Sequence, residues 1–146
     1  MIYPNKAFYH PGEEISIPIE GAFRVTIWHL ADEIAVIEGQ DAFVWMPPEE
    51  TKRGYRLKIK TKKDEYWTAF DVLNHWTDSP RYGDLFNFSP SNSAENLDYL
   101  LANHINGIQF YDWMYRHDEL LPPSKEFIDP LGREMSLPVV EKRIST

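Results

Sequence analysis

The strongest constraint on this chain is an alternation with a period of two that runs from Ile2 to about Asn74. Ile15, Ile17 and Ile19 alternate with Ser16 and Pro18, Phe23, Val25 and Ile27 with Arg24 and Thr26, and Tyr55, Leu57 and Ile59 with Arg56, Lys58 and Lys60. Successive side chains of a strand point to opposite faces, so each of these segments reads as a half-buried strand. Turn-forming residues punctuate the run at Pro11-Gly12, Glu20-Gly21, Gly39-Gln40, Pro47-Pro48 and Gly54. Cut at those points, the segment holds about seven short strands, the grammar of an antiparallel immunoglobulin-like β-sandwich of two packed sheets. The first domain is accordingly expected over residues 1–74.

After Asn74 the grammar changes. Residues 75–93 are rich in Ser, Pro, Asn and aromatics, and a surface-running segment pinned by Trp76, Tyr82, Phe86 and Phe88 is expected there. A helix follows. Asn92 and Glu95 have the spacing of a capping box, and Leu97, Leu100, Leu101 and His104 recur at three and four residues before an Asn106-Gly107 stop. The next residues, GIQFYD (107–112), read as a strand with Ile108 and Phe110 turned towards covering helices and Gln109 and Tyr111 turned the other way. A helix joined tightly to a strand is the αβ connection of α/β proteins. The last stretch, from Ser136, reads as a helix with Ser136 as cap, Pro138 in the first turn and Val140 and Ile144 on one face. No stop signal precedes Thr146, so the chain is expected to be part of a longer one.

Charge and composition narrow the functional classes. Lys+Arg 15 against Asp+Glu 23 gives a net charge of -8, the wrong sign for tracking phosphates, and no window is basic enough to reverse it, so nucleic acid is not an expected partner. The run KIKTKK (58–63) reads as the solvent face of a strand. With no cysteine, there are no disulfides, thiolate metal sites or Cys nucleophiles, and the redox compartment stays open. No stretch reaches the roughly 20 apolar residues of a membrane-spanning helix, so no membrane partner is expected. The N-terminus lacks signal-peptide layout; the chain is cytoplasmic if Met1 is its native start and secreted if a signal has been removed.

One set of residues carries a resemblance. Pro4, Lys6, Tyr9 and Pro11-Gly12-Glu13, then WMPP (45–48), RGY (53–55), HWTDSPRYGDL (75–85) and above all NHINGIQFYDWMYRHDELLP (103–122) occur in an order that resembles glycoside hydrolase family 66 over nearly the whole chain. The family contains dextranases and cycloisomaltooligosaccharide glucanotransferases. The resemblance implies an N-terminal immunoglobulin-like domain followed by a (β/α)₈ TIM barrel that cuts or rearranges α-1,6-glucan with retention of configuration. Residues 75–146 would be the start of that barrel, one strand with flanking helices, because a whole barrel takes about 250 residues. Retention uses two carboxylates about 5 to 5.5 Å apart. The family places them on later strands, so no catalytic residue is assigned in this chain, which is expected to be inactive alone.

If GIQFYD is the first barrel strand, its crowded exit lies at the face where barrel enzymes bind substrate. Tyr111 and Asp112 are then the first candidates for contact with α-1,6-glucan or isomaltooligosaccharide, with Trp113, Tyr115 and His117 behind them. The plainer reading has Asp112 and Asp118 paired with Arg116, His117 capping a loop and the aromatics in a core. No spacing brings a second carboxylate to Asp112. A metal site from His104, His117, Asp112 and Asp118 is disfavoured because His104 stands one strand length away from Asp112, so neither metal nor cofactor is expected. There is no GxSxG elbow, no phosphate loop, and His29 reads as a satisfied strand residue. Two further classes compete: a carbohydrate-binding module using Trp28, Trp45 or Trp67, distinguished by whether those indoles share an exposed face, and a purely structural protein.

Overall fold

The computed structural model describes residues 2–49, 52–92 and 97–145, and it is mostly β-sheet with two short α-helices. The strands are β1 (Ile15–His29), β2 (Asp32–Trp45), β3 (Arg53–Thr61), β4 (Glu65–Val72), β5 (Tyr82–Leu85), β6 (Gly107–Phe110), β7 (Glu126–Ile128) and β8 (Glu134–Ser136), with α1 at Asp98–Ala102 and α2 at Leu137–Ile144. By packing the chain divides into two units, one of residues 1–82 with 98–107 and one of residues 83–97 with 108–146. Among the described residues no helix is long and apolar enough to cross a membrane.

In the first unit, β1–β4 form one sheet in the order β2-β1-β3-β4, with every pairing antiparallel. The alternation predicted for these segments is present: along β1, Ile15, Ile17, Ile19, Phe23, Val25 and Ile27 are buried while their neighbours face outward. Their count differs from expectation. There are four long strands in one hydrogen-bonded sheet, where about seven short ones in two sheets were expected. Glu20-Gly21 is a bend inside β1, where the register with β2 shifts between Pro18 and Ala22 and Gly21 takes the left-handed φ of 78°. Gly39-Gln40 lies inside β2 and Gly54 inside β3. The bend lets Ile15, Ile17 and Phe43 share one apolar cluster with Val25, Ile27, Leu57, Ile59 and Phe70. Each such side chain removed from water stabilises the unit by about 1.5–3 kcal/mol.

The strand ends are held by turns the sequence did not mark, and Lys62 and Lys63, expected on the solvent face of a strand, lie in the β3–β4 turn. Leu30 and Ala31 close the β1–β2 hairpin between His29 and Asp32, with Leu30 at φ 53°. Between β3 and β4 the Thr61 hydroxyl accepts hydrogen bonds from the N–H groups of Lys63 and Asp64. The antiparallel strands end at Val72, close to Asn74, but the packed unit runs on to Tyr82 and takes in residues 98–107.

The region after Asn74 has more regular structure than expected. Residues 76–78 and 90–92 are 3₁₀ turns, and Tyr82–Leu85 is a strand. Of the four expected anchors Phe88 is fully buried, Trp76 is half-buried with its ring edge-on to Tyr82, and Tyr82 and Phe86 are exposed. Helix α1 is a single turn and a half. Its expected Glu95 cap partner lies outside the described residues. The left-handed stop is His104 (φ 59°), not Asn106-Gly107: Ile105 N–H donates to the Leu100 carbonyl and His104 N–H to the Leu101 carbonyl, both at 2.9 Å, the paired bonds of a Schellman motif. In α2 Ser136 occupies the cap position without a side-chain hydrogen bond, and Pro138 sits in the first turn as expected. Its buried residues are Val139, Val140 and Arg143, whereas Ile144 is 70% exposed, so Val140 and Ile144 do not share a buried face.

Candidate functional site

The strand that was expected to lead to a site, β6, enters the second unit at Ile108. Strand β6 pairs with β5. Gly107 N–H donates to the Arg81 carbonyl at 3.1 Å and Tyr111 N–H to the Leu85 carbonyl at 2.8 Å; the offset is the same at both ends, so the two strands run in the same direction. Phe110 stacks flat on Phe88, with centroids 5.5 Å apart. Ile108 is 44% exposed among the described residues, in contrast to the helix-covered position expected for it.

At the exit of β6 the chain turns sharply. Asp112 takes the left-handed region at φ 52°, which Asp tolerates better than most residues. Residues 115–120 then close on themselves, with Tyr115 N–H to the Leu120 carbonyl and Arg116 N–H to the Glu119 carbonyl. A cleft of about 270 Å³ opens here, lined by Tyr111, Asp112, His117 and, from the loop between β7 and β8, Asp129, Leu131 and Arg133. Tyr111 is 54% exposed on it. Of the five sequence candidates, Tyr111, Asp112 and His117 line the cleft. Trp113 and Tyr115 do not: Trp113 is half-buried, and Tyr115 packs edge-on to Phe127 at 5.7 Å with the Arg116 guanidinium 4.6 Å over its ring.

Sequence reasoning missed the residues of the β7–β8 loop, DPLGR (129–133). The signal was legible, because Asp, Pro and Gly at those positions mark a type I turn, and Gly132 supplies the left-handed residue at φ 79° that such a hairpin requires. Asp129 organises it. One carboxylate oxygen accepts from Leu131 N–H at 2.9 Å and Arg133 N–H at 2.8 Å. The other takes the Arg133 Nε at 2.6 Å and Nη2 at 2.6 Å. Burial of Asp129 opposes its charge, but the Arg133 and Leu131 N–H groups and the guanidinium outweigh that and hold its carboxyl below the usual range. The same contacts, led by the Asp129 hydrogen bond against partial desolvation, raise Arg133 above its ordinary value.

Arg133 also reaches Asp112. Its Nη2 donates to Asp112 Oδ2 at 3.2 Å, so the partner of Asp112 is Arg133 and not the neighbouring Arg116. Asp118 is exposed. Against expectation, then, a second carboxylate does stand near Asp112, on the far side of one guanidinium. Asp129 is nevertheless unsuited to acid/base chemistry, since its side chain is 2% exposed and its lowered affinity for protons is the reverse of what a general acid needs. Among the described residues no group of three or more His, Asp or Glu is disposed to hold a metal.

In the first unit, the PRYG and NHING segments meet. Arg81 forms a salt bridge with buried Asp71 on β4. Its N–H donates to Asn106 Oδ1 at 2.8 Å, and Asn106 Nδ2 donates to the Ser79 carbonyl at 2.9 Å. A Cβ on Gly107 would lie 3.2 Å from the Tyr82 ring and 3.3 Å from the Trp76 indole, so the smallest residue fits there. His104 stands by this clamp; burial, then the Arg81 charge, push its imidazole below its ordinary value, against the opposing pull of Asp71.

The three indoles divide. Trp45 packs on Tyr55 and Phe70 in the core, whereas Trp28 and Trp67 stack at 5.7 Å on the other face, Trp67 51% exposed. The Arg56 guanidinium lies against both rings, 5.2 and 5.0 Å from their centroids.

Residues 4–146 match the family model of glycosyl hydrolase family 66. The chain belongs to that family. Two curated relatives, both cycloisomaltooligosaccharide glucanotransferases of Niallia circulans, are 30% and 26% identical to it; the matches cover 98% and 99% of this chain and 18% of each relative. A solved structure of a Paenibacillus sp. cycloisomaltooligosaccharide glucanotransferase complexed with cycloisomaltoheptaose superimposes with a TM-score of 0.82 at 27% identity, over 99% of this chain and 25% of that one. The chain thus spans less than a fifth of the length of these curated family 66 relatives.

Proposed function

We propose that this family 66 chain is the N-terminal portion of an enzyme that acts on α-1,6-glucan by retaining hydrolysis or transglycosylation, and that it contributes substrate contacts without the catalytic carboxylates. In this reading residues 1–74 are an immunoglobulin-like sandwich and residues 75–146 begin a (β/α)₈ barrel. The bent β1–β2 hairpin, whose two arms feed one core, supports the first part. The succession β5, α1, β6, with its two strands running in the same direction, supports the second.

The observation that carries the functional reading is the cleft at the exit of β6. Tyr111 offers a hydroxyl and an apolar ring face, and Asp112 offers a carboxylate, side by side on one wall. Sugar rings present hydroxyl donors at their rim and C–H groups on their faces, which is the complement of that pair. A relative structure that holds cycloisomaltoheptaose makes an α-1,6-linked glucose oligomer the natural occupant.

The test uses the complete gene product that carries this segment, with dextran as substrate, read out as reducing-sugar release and cyclic product. Tyr111→Phe and Asp112→Asn are each expected to lower kcat/KM by about one to two powers of ten, the effect of losing a hydrogen bond involving a charged group in the transition state. Unchanged kinetics in both variants would return the cluster to a packing role. A non-catalytic carbohydrate-binding module is the second reading, favoured by the Trp28–Trp67 stack, in which Trp67 is exposed and Trp28 half-buried; Arg56 across both rings argues against it, because the ring surface a sugar would use is already taken.

A further inference from the structure

We propose that Arg133 is the positioning residue of this cleft: anchored on buried Asp129, it holds one oxygen of Asp112 and leaves the other turned to accept a sugar hydroxyl. The inference rests on the reading of the cleft as an α-1,6-glucan site and assigns that site a part no family motif in the sequence marked.

The geometry has a direction. Asp129 is saturated, with one oxygen on two backbone N–H groups and the other on Nε and Nη2 of Arg133. The guanidinium is therefore fixed at its inner edge by a group that cannot move without undoing the β7–β8 turn. The Nη2 that binds Asp129 also donates to Asp112 Oδ2. Among the described residues Asp112 Oδ1 has no hydrogen-bond partner within the chain, and the side chain is 30% exposed on the cleft. A carboxylate with one oxygen pinned and one free has lost its rotational freedom before a ligand arrives, which lowers the ordering cost of binding. The planar guanidinium can share Nη2 between the two carboxylates while Nε on Asp129 fixes its orientation; a lysine ammonium, a point charge on a flexible stem, has no second nitrogen to hold it in that plane.

The experiment is an NMR titration of the 146-residue chain with cycloisomaltoheptaose, for the wild type, Asp112→Asn, Arg133→Gln, Arg133→Lys and the Asp112→Asn/Arg133→Gln double variant. A thermal melt of each reports folding. Sugar is expected to shift the Tyr111 and Asp112 amides and the Arg133 guanidinium protons of the wild type. Each of Asp112→Asn and Arg133→Gln should weaken binding about tenfold, the double variant no further, and Arg133→Lys by an intermediate amount. In Asp112→Asn the guanidinium signal should no longer respond to sugar. Wild-type affinity in either Arg133 variant, with Asp112→Asn weakened, overturns the positioning role alone, as do losses that multiply in the double variant, which would mean that Arg133 touches the sugar itself. No binding by the wild type, or full affinity in Asp112→Asn, overturns the glucan reading of the cleft and the inference with it.

Discussion

Arg81 shows how a residue that looks like part of a functional motif can be explained by its bonds. Its guanidinium neutralises Asp71, which is buried on β4, while its backbone N–H and carbonyl are both engaged by the 106–107 segment. Arg81→Met should therefore destabilise the first unit by about 1–3 kcal/mol, the cost of leaving a buried carboxylate without its partner; the measurement is the urea midpoint, and a change within error would mean that water replaces the guanidinium at no cost. The PRYG and NHING segments, distinctive enough to carry a family resemblance, are in this light chiefly a clamp. The residues at the cleft that need explanation are different ones, and Arg133 among them lay in a stretch that sequence reasoning passed over. Nothing in the order of residues tells that a guanidinium at 133 will meet a carboxylate at 112; that contact exists only once the β7–β8 hairpin folds back.

At the scale of elements, the two turns that titrate make opposite use of burial. Asp129 has a lowered folded-state value, so its contribution to the β7–β8 turn is complete above the ordinary carboxylate value of 3.8 and is lost as pH falls through the lower folded value. Asp129→Asn should remove that acid-dependent step from a melting series between neutral and acid pH, and should lower stability at neutral pH. His104 is lowered too, but there burial comes first and the neutral form is the one favoured. Its contribution is present above 6.5 and declines as pH drops below it, since the unfolded chain takes up the proton first. His104→Asn, which keeps a side chain tolerant of the left-handed conformation, is expected to flatten the pH dependence of the first unit below 6.5; an unaltered profile would assign the effect elsewhere. These elements also show what was legible. The face of each strand was readable because burial follows the period of two. The turns were not, because Gly39-Gln40 pairs regularly inside β2 and Glu20-Gly21 is a bend inside β1, whereas the real β1–β2 turn is made by Leu30-Ala31, residues with no turn preference that are forced into place by the pairing on either side. The helix at 98–102 was found by its leucine spacing, but its stop was misplaced by two residues because Asn106 is taken up by Arg81 and Ser79.

For the molecule as a whole, the two units differ in how much they bury. The first has a contiguous apolar cluster from Tyr9 to Val72. The second buries Leu85, Phe88, Phe127, Met135, Val139 and Val140 while Leu120, Leu121, Ile128, Leu131 and Ile144 stay exposed. Local stability follows buried apolar contact, so calorimetry of the chain should show the second unit melting first, and hydrogen exchange should protect β1, β3 and β4 more than β6 to β8; a single transition with uniform protection would contradict this. The same reasoning bears on activity. A retaining mechanism requires a nucleophile and an acid/base about 5 to 5.5 Å apart, both able to reach the sugar. Among the described residues the carboxylate that shares a guanidinium with Asp112 is Asp129, which is buried, ion-paired and held in the ionised form, so it can neither attack an anomeric carbon nor deliver a proton. The 146-residue chain is therefore expected to bind cycloisomaltoheptaose weakly and to turn over no dextran. Reducing-sugar release and cyclic-product analysis at high protein concentration check this, with Asp129→Asn as control: steady turnover by the wild-type chain that Asp129→Asn abolishes would make the Asp112–Asp129 pair catalytic and reverse the proposal that this chain contributes contacts without catalytic carboxylates.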